Sequence, residues 1–542
     1  MSPGSVAFAF YAGVVITVGL GIYLFRRLAG HDVLSRLIVA IVPPVTLVLA
    51  EALLLRVLQA PFWDWNAARL MPTFAITHGY KLYYEPNVGP AMNFMYGPMA
   101  AYAYLPATLA TTPTAAVIIA SVIGLICFFG PVLWLLLQQG TGLLMKLLAV
   151  AAFVSFCLLA FLSSPLSYSG FSVHADAPAL GLCACACAVL GMRKRPDSTR
   201  IFVVSGLLAT TAVWTKQTMV PILPGLVLYV WLKDGRRCAL RYTLWIFIVG
   251  ICVSLVFLAL NDVPALIFNM FVKHLHHPLN HPTTGRRAER PLDNLFFLLV
   301  AARLLLYAAI IPLSVVIVYG TYQFRKTAAS GLSRVKLWVS QNPWLLTTIV
   351  GVVMIPTSII CRIGVGGDSN DQSPAVYFLA AGAALALVKC ATDASASGRR
   401  LLQWTAKLLL GVLPLTFACC AFVTPDAISR TLEALPYSST QKTYELALHH
   451  PGMIYFPGNP LSSLLAEGKL YHFLMGLHER AMDGYPPSYE YFWEYLPTNT
   501  QLIVLPNPAW MKDYVEEFRP YLRGFSPPLR DPSGWFVYRR EH

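Results

Sequence analysis

The feature that most constrains this chain is a series of apolar stretches long enough, or nearly long enough, to cross a lipid bilayer. A membrane helix needs roughly 20 consecutive apolar residues. Only 12% of the residues are charged, against about 25% in a soluble domain, so lipid must be the main solvent. The sequence therefore predicts an all-α polytopic membrane bundle with about 12 spans, at residues 5–25, 35–58, 115–137, 144–162, 177–191, 200–214, 218–232, 241–260, 295–320, 344–361, 374–391 and 404–424.

One further apolar segment, residues 91–111, decides how these spans are oriented. If it does not cross, the later basic clusters lie on the same side as Arg26 and Arg27; they occupy residues 193–195, 233–237, 325–326 and 399–400. Cytoplasmic loops carry an excess of Lys and Arg, so we expect an interfacial segment, with Tyr96, Tyr102 and Tyr104 at the headgroup level. This topology predicts a multi-pass protein of the cell (inner) membrane. Its extracytoplasmic side would carry loops 59–114, 163–176, 261–294 and 362–373, the turn around Lys216 and the C-terminal tail.

The composition changes twice along the chain. Residues 1–34 hold an extra N-terminal span, which no basic residues precede and which we expect to be retained rather than cleaved. Residues 35–424 hold the main transmembrane domain, and residues 425–542 contain no spanning run. In that tail, helical patterns near 440–449 and 508–522 alternate with strand-like runs at 501–505 and 535–538. This alternation predicts a small C-terminal α/β extramembrane domain.

The net charge of +14 does not indicate a nucleic-acid partner. Most Lys and Arg residues lie in short loops between apolar runs, as the positive-inside bias requires. Nearly all of the 11 cysteines lie in or beside apolar runs, so no disulfide framework is expected. No P-loop is present, which argues against an ATP-driven pump.

Two aspartates lie beside predicted spans on the outer side. Asp64 directly follows the second span, between Trp63 and Trp65, where partial desolvation raises a carboxyl pKa and makes the group a better proton acceptor near neutral pH. Asp176 directly precedes the span that begins at residue 177. Each could instead cap a helix N-terminus, a common role for Asp. As functional groups, the two could share a substrate or a divalent metal.

Two turns supply groups that could bind an anion. Lys216 lies between apolar runs near the outer boundary of the membrane, where it either binds a lipid phosphate as a point charge or only extends its ammonium group to the interface. Loop 362–373 combines three glycines with Arg362, Asp368 and Asn370. Its backbone N–H groups and guanidinium could hold an anion.

The order of these motifs resembles the GT-C superfamily of membrane glycosyltransferases, closest to the branch with protein O-mannosyltransferases and lipid A aminoarabinose transferases. Trp65 stands where the family often has Glu, and Glu85 lies in the area where the aminoarabinose branch has a lysine, so the donor headgroup does not carry over. The resemblance covers roughly residues 35–390 and rests on Asp64, Gly79-Tyr80-Lys81-Leu82-Tyr83-Tyr84, Tyr96-Gly97-Pro98, Ala175-Asp176-Ala177, Thr215-Lys216-Gln217 and Gly366-Gly367-Asp368-Ser369-Asn370.

The resemblance implies a GT-C fold and transfer of a sugar from a polyprenyl-phosphate-linked donor to a lipid, glycan or protein acceptor, with inversion. Asp64 would be the general base, and Asp176 would orient the acceptor or a divalent metal. Lys216 and Arg362 would stabilise the departing phosphate. The other substrate-binding candidates are Tyr83, Glu85, Tyr96, Asp368 and Asn370. A transporter or flippase of lipid-linked sugars and a polysaccharide polymerase or ligase remain alternatives.

Overall fold

Helices account for each of the apolar stretches predicted from the sequence. The computed structural model describes residues 3–30, 32–138, 142–159, 165–193, 195–196, 198–276, 278–284, 287–364, 366–396, 400–505, 515–531 and 534–541. Lys194, Arg399 and the first residues of the predicted helix 508–522 lie outside this range. The helices up to residue 276 are α1 Pro3–Arg27, α2 Val33–Gln59, α3 Asp64–Thr77, α4 Pro98–Tyr102, α5 Pro113–Leu137, α6 Leu143–Leu159, α7 Pro165–Phe171, α8 Asp176–Gly191, α9 Thr199–Val213, α10 Ile222–Asp234, α11 Arg236–Leu260, α12 Val263–Ile267, a π-helical turn Phe268–Val272 and α13 Lys273–His276.

The second half of the bundle continues with longer helices and then passes into the tail. The helices are α14 Pro291–Lys326, α15 Gly331–Gln341, α16 Leu345–Arg362, α17 Ser373–Ala396, α18 Arg400–Cys420, α19 Pro425–Ala434, α20 Ser439–His449, α21 Pro460–Glu467, α22 Leu474–Met482 and α23 Tyr489–Glu494. Short 3-10 helices occupy Ala60–Phe62, Leu105–Leu109, Gln217–Met219, Ser369–Gln372, Leu435–Tyr437 and Arg519–Tyr521.

Seven helices of the described chain are long and apolar enough to cross a membrane. Two bent pairs raise the number to nine if each is one span: α7 with α8, bent by 99°, and α18 with the segment Pro425–His449, bent by 55°. Helices α6 and α9 are apolar but short. The described chain therefore has fewer spanning helices than the expected count of about 12, although it is a multi-pass membrane protein.

Small residues let the helices of the bundle pack closely, as is common in membranes. A Cβ at Gly181 on α8 would lie 2.3 Å from the carbonyl oxygen of Cys127 on α5, and one at Gly21 would lie equally close to the Ala40 oxygen. Cys183 is fully buried at the same helix contact. Cys183 and Cys187 of α8 therefore act as small packing residues.

Segment 91–111 contains no helix of spanning length. After an extended stretch it forms only α4 and the 3-10 turn Leu105–Leu109. Two of its tyrosines make contacts inside the protein, and the expectation that they lie at the headgroup level stays a prediction. The hydroxyl of Tyr96 bonds to the ring of His174, and the hydroxyl of Tyr104 donates to the His174 carbonyl.

The tail combines helices α19–α23 with a four-stranded sheet in the order β1-β2-β4-β3. Strand β1 (Ile454–Tyr455) pairs parallel with β2 (Leu502–Leu505), and β4 (Phe536–Arg539) pairs antiparallel with both β2 and β3 (Leu529–Arg530). Many buried tail side chains belong to a hydrophobic cluster shared with loop 59–114. The tail therefore packs directly on the loops that carry the sequence motifs.

Candidate functional site

Asp176, the first residue of α8, is the centre of a buried charge cluster. Its Oδ1 accepts a hydrogen bond from Lys216 Nζ at 2.6 Å, and its Oδ2 accepts one from Asn370 Nδ2 at 2.8 Å. Lys216 Nζ also reaches Asp371 Oδ1 at 3.1 Å. Burial alone would lower the pKa of Lys216, but the two carboxylates beside it raise the pKa well above its usual range. The lysine is therefore charged and its charge is balanced within the protein.

The turn that carries Lys216 is held by the Tyr96-Gly97-Pro98 motif. A Cβ on Gly97 would lie 1.8 Å from the carbonyl oxygen of Trp214, so only glycine allows the two backbones to approach this closely. Met99 N–H donates to the same carbonyl at 3.3 Å, and Gln217 Nε2 donates to Met95 O at 2.7 Å. Two motifs that lie far apart in sequence thus form one packed unit.

His174 links this cluster to a tyrosine. Its Nδ1 lies 2.5 Å from Asp176 Oδ2, and its Nε2 lies 2.7 Å from Tyr96 Oη. Because a carboxylate can only accept a hydrogen bond, Nδ1 carries the ring proton and donates to Asp176, and Nε2 accepts from the Tyr96 hydroxyl. Tyr104 Oη donates to the His174 carbonyl at 2.8 Å, which fixes the loop before α8.

Asp64 has a different environment. It is the first residue of α3, where Trp63 is the cap residue, and its Oδ1 accepts from Ser439 Oγ on tail helix α20. Burial raises the pKa of Asp64 to about 7, and the hydrogen bond from Ser439 offsets only part of this rise. Neither Asp64 nor Asp176 caps its helix through its side chain, so the alternative role as an N-cap is wrong for both.

A cavity of about 280 Å³ opens between α3, the segment 92–96 and the tail. Trp63, Trp65, Tyr96 and Tyr168 give it aromatic walls, and Arg69 lies among them. The Arg69 guanidinium carbon is 5.1 Å from the centre of the Trp65 ring, a cation–π distance. Asp64 itself is not among the residues that line the cavity.

Arg69 Nη2 donates to Tyr168 Oη at 2.5 Å, whereas its Nη1 is buried without a hydrogen-bond partner among the described residues. An unsatisfied buried donor on a charged group costs the folded state about 1–3 kcal/mol or more. Such an atom in a native structure calls for an explanation, such as a partner that binds there. The cavity thus presents a cation with an unused donor between aromatic rings.

The tail forms one side of this cavity. Phe473, Met475 and Glu479, from α22 and the residue before it, line the cavity. Glu479 Oε2 accepts a hydrogen bond from Lys273 Nζ, and the same ammonium donates to Asn93 Oδ1 at 3.2 Å. Both charged side chains of this pair are almost fully buried.

The remaining candidates from the sequence lie around this centre rather than in it. Arg362 donates from Nη1 to Gly367 O at 2.5 Å and from Nη2 to Pro282 O, which joins loops 261–294 and 362–373 outside the cavity. Asp368 lines the cavity but is more than half exposed, with Oδ1 accepting from Ser369 N at 2.6 Å.

Two further candidates from the first loop do not reach the cavity. Tyr83 is buried and donates from Oη to the Tyr96 carbonyl at 2.6 Å, so it supports the segment that lines the cavity. The Glu85 side chain is exposed and is not among the lining residues. Of the predicted site residues, the structure therefore joins Asp176, Lys216 and Asn370 directly and connects Tyr96 to them through His174.

The described residues do not fit a metal site. No group of three or more His, Cys, Asp or Glu side chains in the described part of the chain could hold an ion. The two aspartates that could have shared a metal bind different partners, Ser439 for Asp64 and the Lys216 cluster for Asp176. Asp176 already accepts hydrogen bonds at both oxygens, which occupies the atoms that would bind an ion.

Sequence reasoning missed Arg69, Asp371 and Glu479. Arg69 interrupts an apolar run that continues from Ala67 to Ala75 apart from Thr73, and this isolated charge was a usable signal. Asp371 follows Asn370 directly and could have been included with its loop. Glu479 gave no signal, because its partner Lys273 is 206 residues away in the chain.

Comparison with known proteins places this geometry in a recognised fold. No protein-family model matches the chain, and no curated protein matches it. The structure is similar to that of ArnT from Cupriavidus metallidurans bound to undecaprenyl phosphate, with a TM-score of 0.53 and 12% identity over 91% of this chain and 97% of that chain. The apo state of the same ArnT gives a TM-score of 0.53 and 15% identity, with the same coverage.

A third similar structure is the oligosaccharyltransferase of Archaeoglobus fulgidus in the apo form, with a TM-score of 0.41 and 12% identity over 92% of this chain and 74% of that chain. The similarity to ArnT, a GT-C glycosyltransferase, extends over nearly the whole of both chains. The chain therefore has the fold of the GT-C membrane glycosyltransferases, and the resemblance predicted from its loop motifs is confirmed at the level of fold.

Proposed function

We propose that this protein is a glycosyltransferase that moves a sugar from a polyprenyl-phosphate-linked donor to an acceptor at the outer face of the membrane. The fold is shared with ArnT, whose structure holds undecaprenyl phosphate. Within this fold, the cavity beside α3 combines aromatic walls with a cation. Aromatic rings pack against apolar faces of a ligand, and a guanidinium binds phosphate oxygens in a fork-like geometry.

The observation that carries the proposal is Arg69 Nη1, a buried donor without a partner among the described residues. A phosphate oxygen would satisfy it and would lie within the aromatic walls. Lys216 is less suited to this role than the sequence suggested, because Asp176 and Asp371 already bind its ammonium group. We therefore assign direct contact with the donor phosphate to Arg69. The ammonium group of Lys216 remains bound to Asp176 and Asp371.

The chemistry proposed is a single displacement with inversion. The acceptor oxygen attacks the anomeric carbon, its proton passes to the Asp64 carboxylate, and the bond from the anomeric carbon to the phosphate oxygen breaks. The electron pair leaves with polyprenyl phosphate, whose charge Arg69 stabilises. A base is most effective with a pKa near the working pH, and burial raises the pKa of Asp64 to about 7. Its carboxylate must turn from Ser439 toward the acceptor, as catalytic contacts often tighten only when substrate binds.

The cavity volume supports transfer of a small glycosyl unit. About 280 Å³ lies at the lower limit of ligand pockets, which span roughly 300–1,000 Å³. A single sugar with its phosphate suits this volume better than a long glycan. The proposal therefore favours monosaccharide transfer over a polysaccharide polymerase or ligase.

The test uses purified protein in lipid nanodiscs with undecaprenyl phosphate carrying mannose, glucose, galactose or arabinose. We expect the wild type to consume one of these donors and to bind bare undecaprenyl phosphate. Arg69→Met should weaken binding of the bare lipid about tenfold or more, since it removes hydrogen bonds to a charged group. The control is Arg430→Met, which changes an exposed tail arginine that pairs with Asp426. Equal binding by Arg69→Met and the control variant would refute the assignment.

A second candidate, a flippase of lipid-linked sugars, is favoured by the 99° break between α7 and α8, since broken helices mark the binding sites of many transporters. The two functions differ in covalent outcome. A flippase moves the intact glycolipid between leaflets, whereas the proposed enzyme releases bare undecaprenyl phosphate, which mass spectrometry of the lipid fraction detects.

A further inference from the structure

The tail is built into the cavity wall by backbone contacts and not only by side chains. Phe473 N–H donates to the Ala91 carbonyl at 2.8 Å. A Cβ on Gly476 would lie 2.8 Å from Asn93 N, so α22 lies directly against segment 91–93. Asn93 itself has a positive φ of 52°, a conformation that non-glycine residues rarely adopt. The segment is thus shaped to receive the tail helix.

A buried ion pair lies at this junction. Lys273 follows the π-helical turn Phe268–Val272, a type of turn frequent at functional sites. Its ammonium binds Glu479 Oε2 and Asn93 Oδ1. A buried ion pair is weak evidence for stability, because desolvation offsets much of the attraction. A role in recognition explains its presence at a cavity better than a role in holding the fold.

The two oxygens of Glu479 differ. Oε2 is bound by Lys273, whereas Oε1 accepts no hydrogen bond from the described residues, and the residue lines the cavity. Because Lys273 neutralises the carboxylate, the pair offers an acceptor oxygen without a net charge. Such a group selects neutral hydrogen-bond donors, of which sugar hydroxyls are the ones expected here, over cations.

We propose that Glu479, positioned by Lys273, recognises hydroxyl groups of the sugar on the donor and so contributes to its selection. The inference rests on the proposed function, and it gives the tail a direct part in substrate binding. It also divides the cavity: Arg69 binds the phosphate and Glu479 binds the sugar. The two parts should therefore respond separately to substitution.

The experiment measures two affinities for each variant in nanodiscs by native mass spectrometry. One probe is bare undecaprenyl phosphate, and the other is whichever of the mannose, glucose, galactose or arabinose derivatives the wild type binds most tightly. The variant Lys273→Met with Glu479→Met removes both charges together, so that neither remains buried alone. We expect its preference for the glycosylated lipid to fall about tenfold, with affinity for bare lipid unchanged. Binding of bare lipid shows that the variant is folded.

The matched control is Glu517→Gln, which alters a tail carboxylate that pairs with His478 at the surface. It should retain the wild-type preference. The inference is overturned if the double variant keeps the preference, if it loses affinity for both lipids equally, or if the wild type has no preference for a glycosylated lipid. If the wild type binds neither lipid, the proposed function fails together with the inference. The three outcomes above overturn the inference about Glu479 alone.

Discussion

Replacing Asp64 by Asn should stabilise the protein at alkaline pH while removing its activity. Burial raises the pKa of Asp64 to about 7 from its ordinary value of 3.8, so the folded state binds this proton more tightly than the unfolded chain does. The resulting stability is fully present below pH about 4 and is lost as the pH rises to about 7. At about 1.4 kcal/mol for each pH unit between the two values, ionisation costs the folded state about 4 kcal/mol.

Asn is neutral at every pH and keeps a carbonyl oxygen that can accept from Ser439 Oγ. Asp64→Asn should therefore match the wild type near pH 4 and exceed its stability by about 4 kcal/mol at pH 8. Between pH 5 and pH 8 the wild type should lose about 3 kcal/mol that the variant retains. If Asp64 is the general base, transfer should fall by about 10²–10⁴-fold, and wild-type activity should rise with pH through about 7.

The assay is unfolding in detergent at a series of pH values, for the wild type and Asp64→Asn. The control is Asp426→Asn, which alters an exposed aspartate on α19 and should leave the pH dependence unchanged. A variant with the same pH dependence as the wild type, or one less stable at pH 8, would show that Asp64 is not a buried carboxyl with a raised pKa.

Two other substitutions test the packing of the charge cluster. Gly97→Ala places a Cβ against the Trp214 carbonyl and should cost about 1–3 kcal/mol or more; in thermal unfolding, Gly130→Ala, where a Cβ meets nothing within 4 Å, should cost nothing. Asp176→Asn leaves buried Lys216 with Asp371 as its remaining carboxylate and should destabilise by up to about 3 kcal/mol, less than the roughly 3–5 kcal/mol of a buried charge that loses its partner entirely. Adding Lys216→Met should recover part of that loss, and unfolding of the double variant that shows no recovery would contradict the ion pair.

Local sequence patterns predicted the features of the fold that depend on neighbouring residues, such as the positions of the helices. Runs of apolar residues located the helices, since a chain in lipid must satisfy its backbone within each helix. The same patterns could not decide which helices cross, because short helices such as α9 are as apolar as full spans. The sequence predicted a loop over residues 163–176, but it did not predict that helix α7 forms within this loop and meets α8 at a sharp bend.

In the candidate site, too, the sequence located individual residues but not their arrangement. Asp176, Lys216 and Asn370 were found because each lies in a short polar interruption between apolar runs. Their arrangement was not predictable, because the contacts join residues that are 40 and 194 positions apart. Glu479 was missed for the same reason, since a glutamate in a polar tail looks like a solvated residue until the fold buries it.

The two aspartates that the sequence treated as a pair have opposite environments. Asp176 accepts from Lys216 and Asn370, and these donors stabilise its ionised form, so it is a poor proton acceptor. Asp64 is half-buried, and its carboxylate accepts a hydrogen bond from the Ser439 hydroxyl; removal from water raises its pKa to about 7, so the carboxylate takes up a proton readily near neutral pH. Where two acids are separated in this way by their surroundings, their roles separate too. Under the proposed function, Asp64 therefore carries the proton, and Asp176 holds the Lys216 turn and the Asn370 loop beside the cavity.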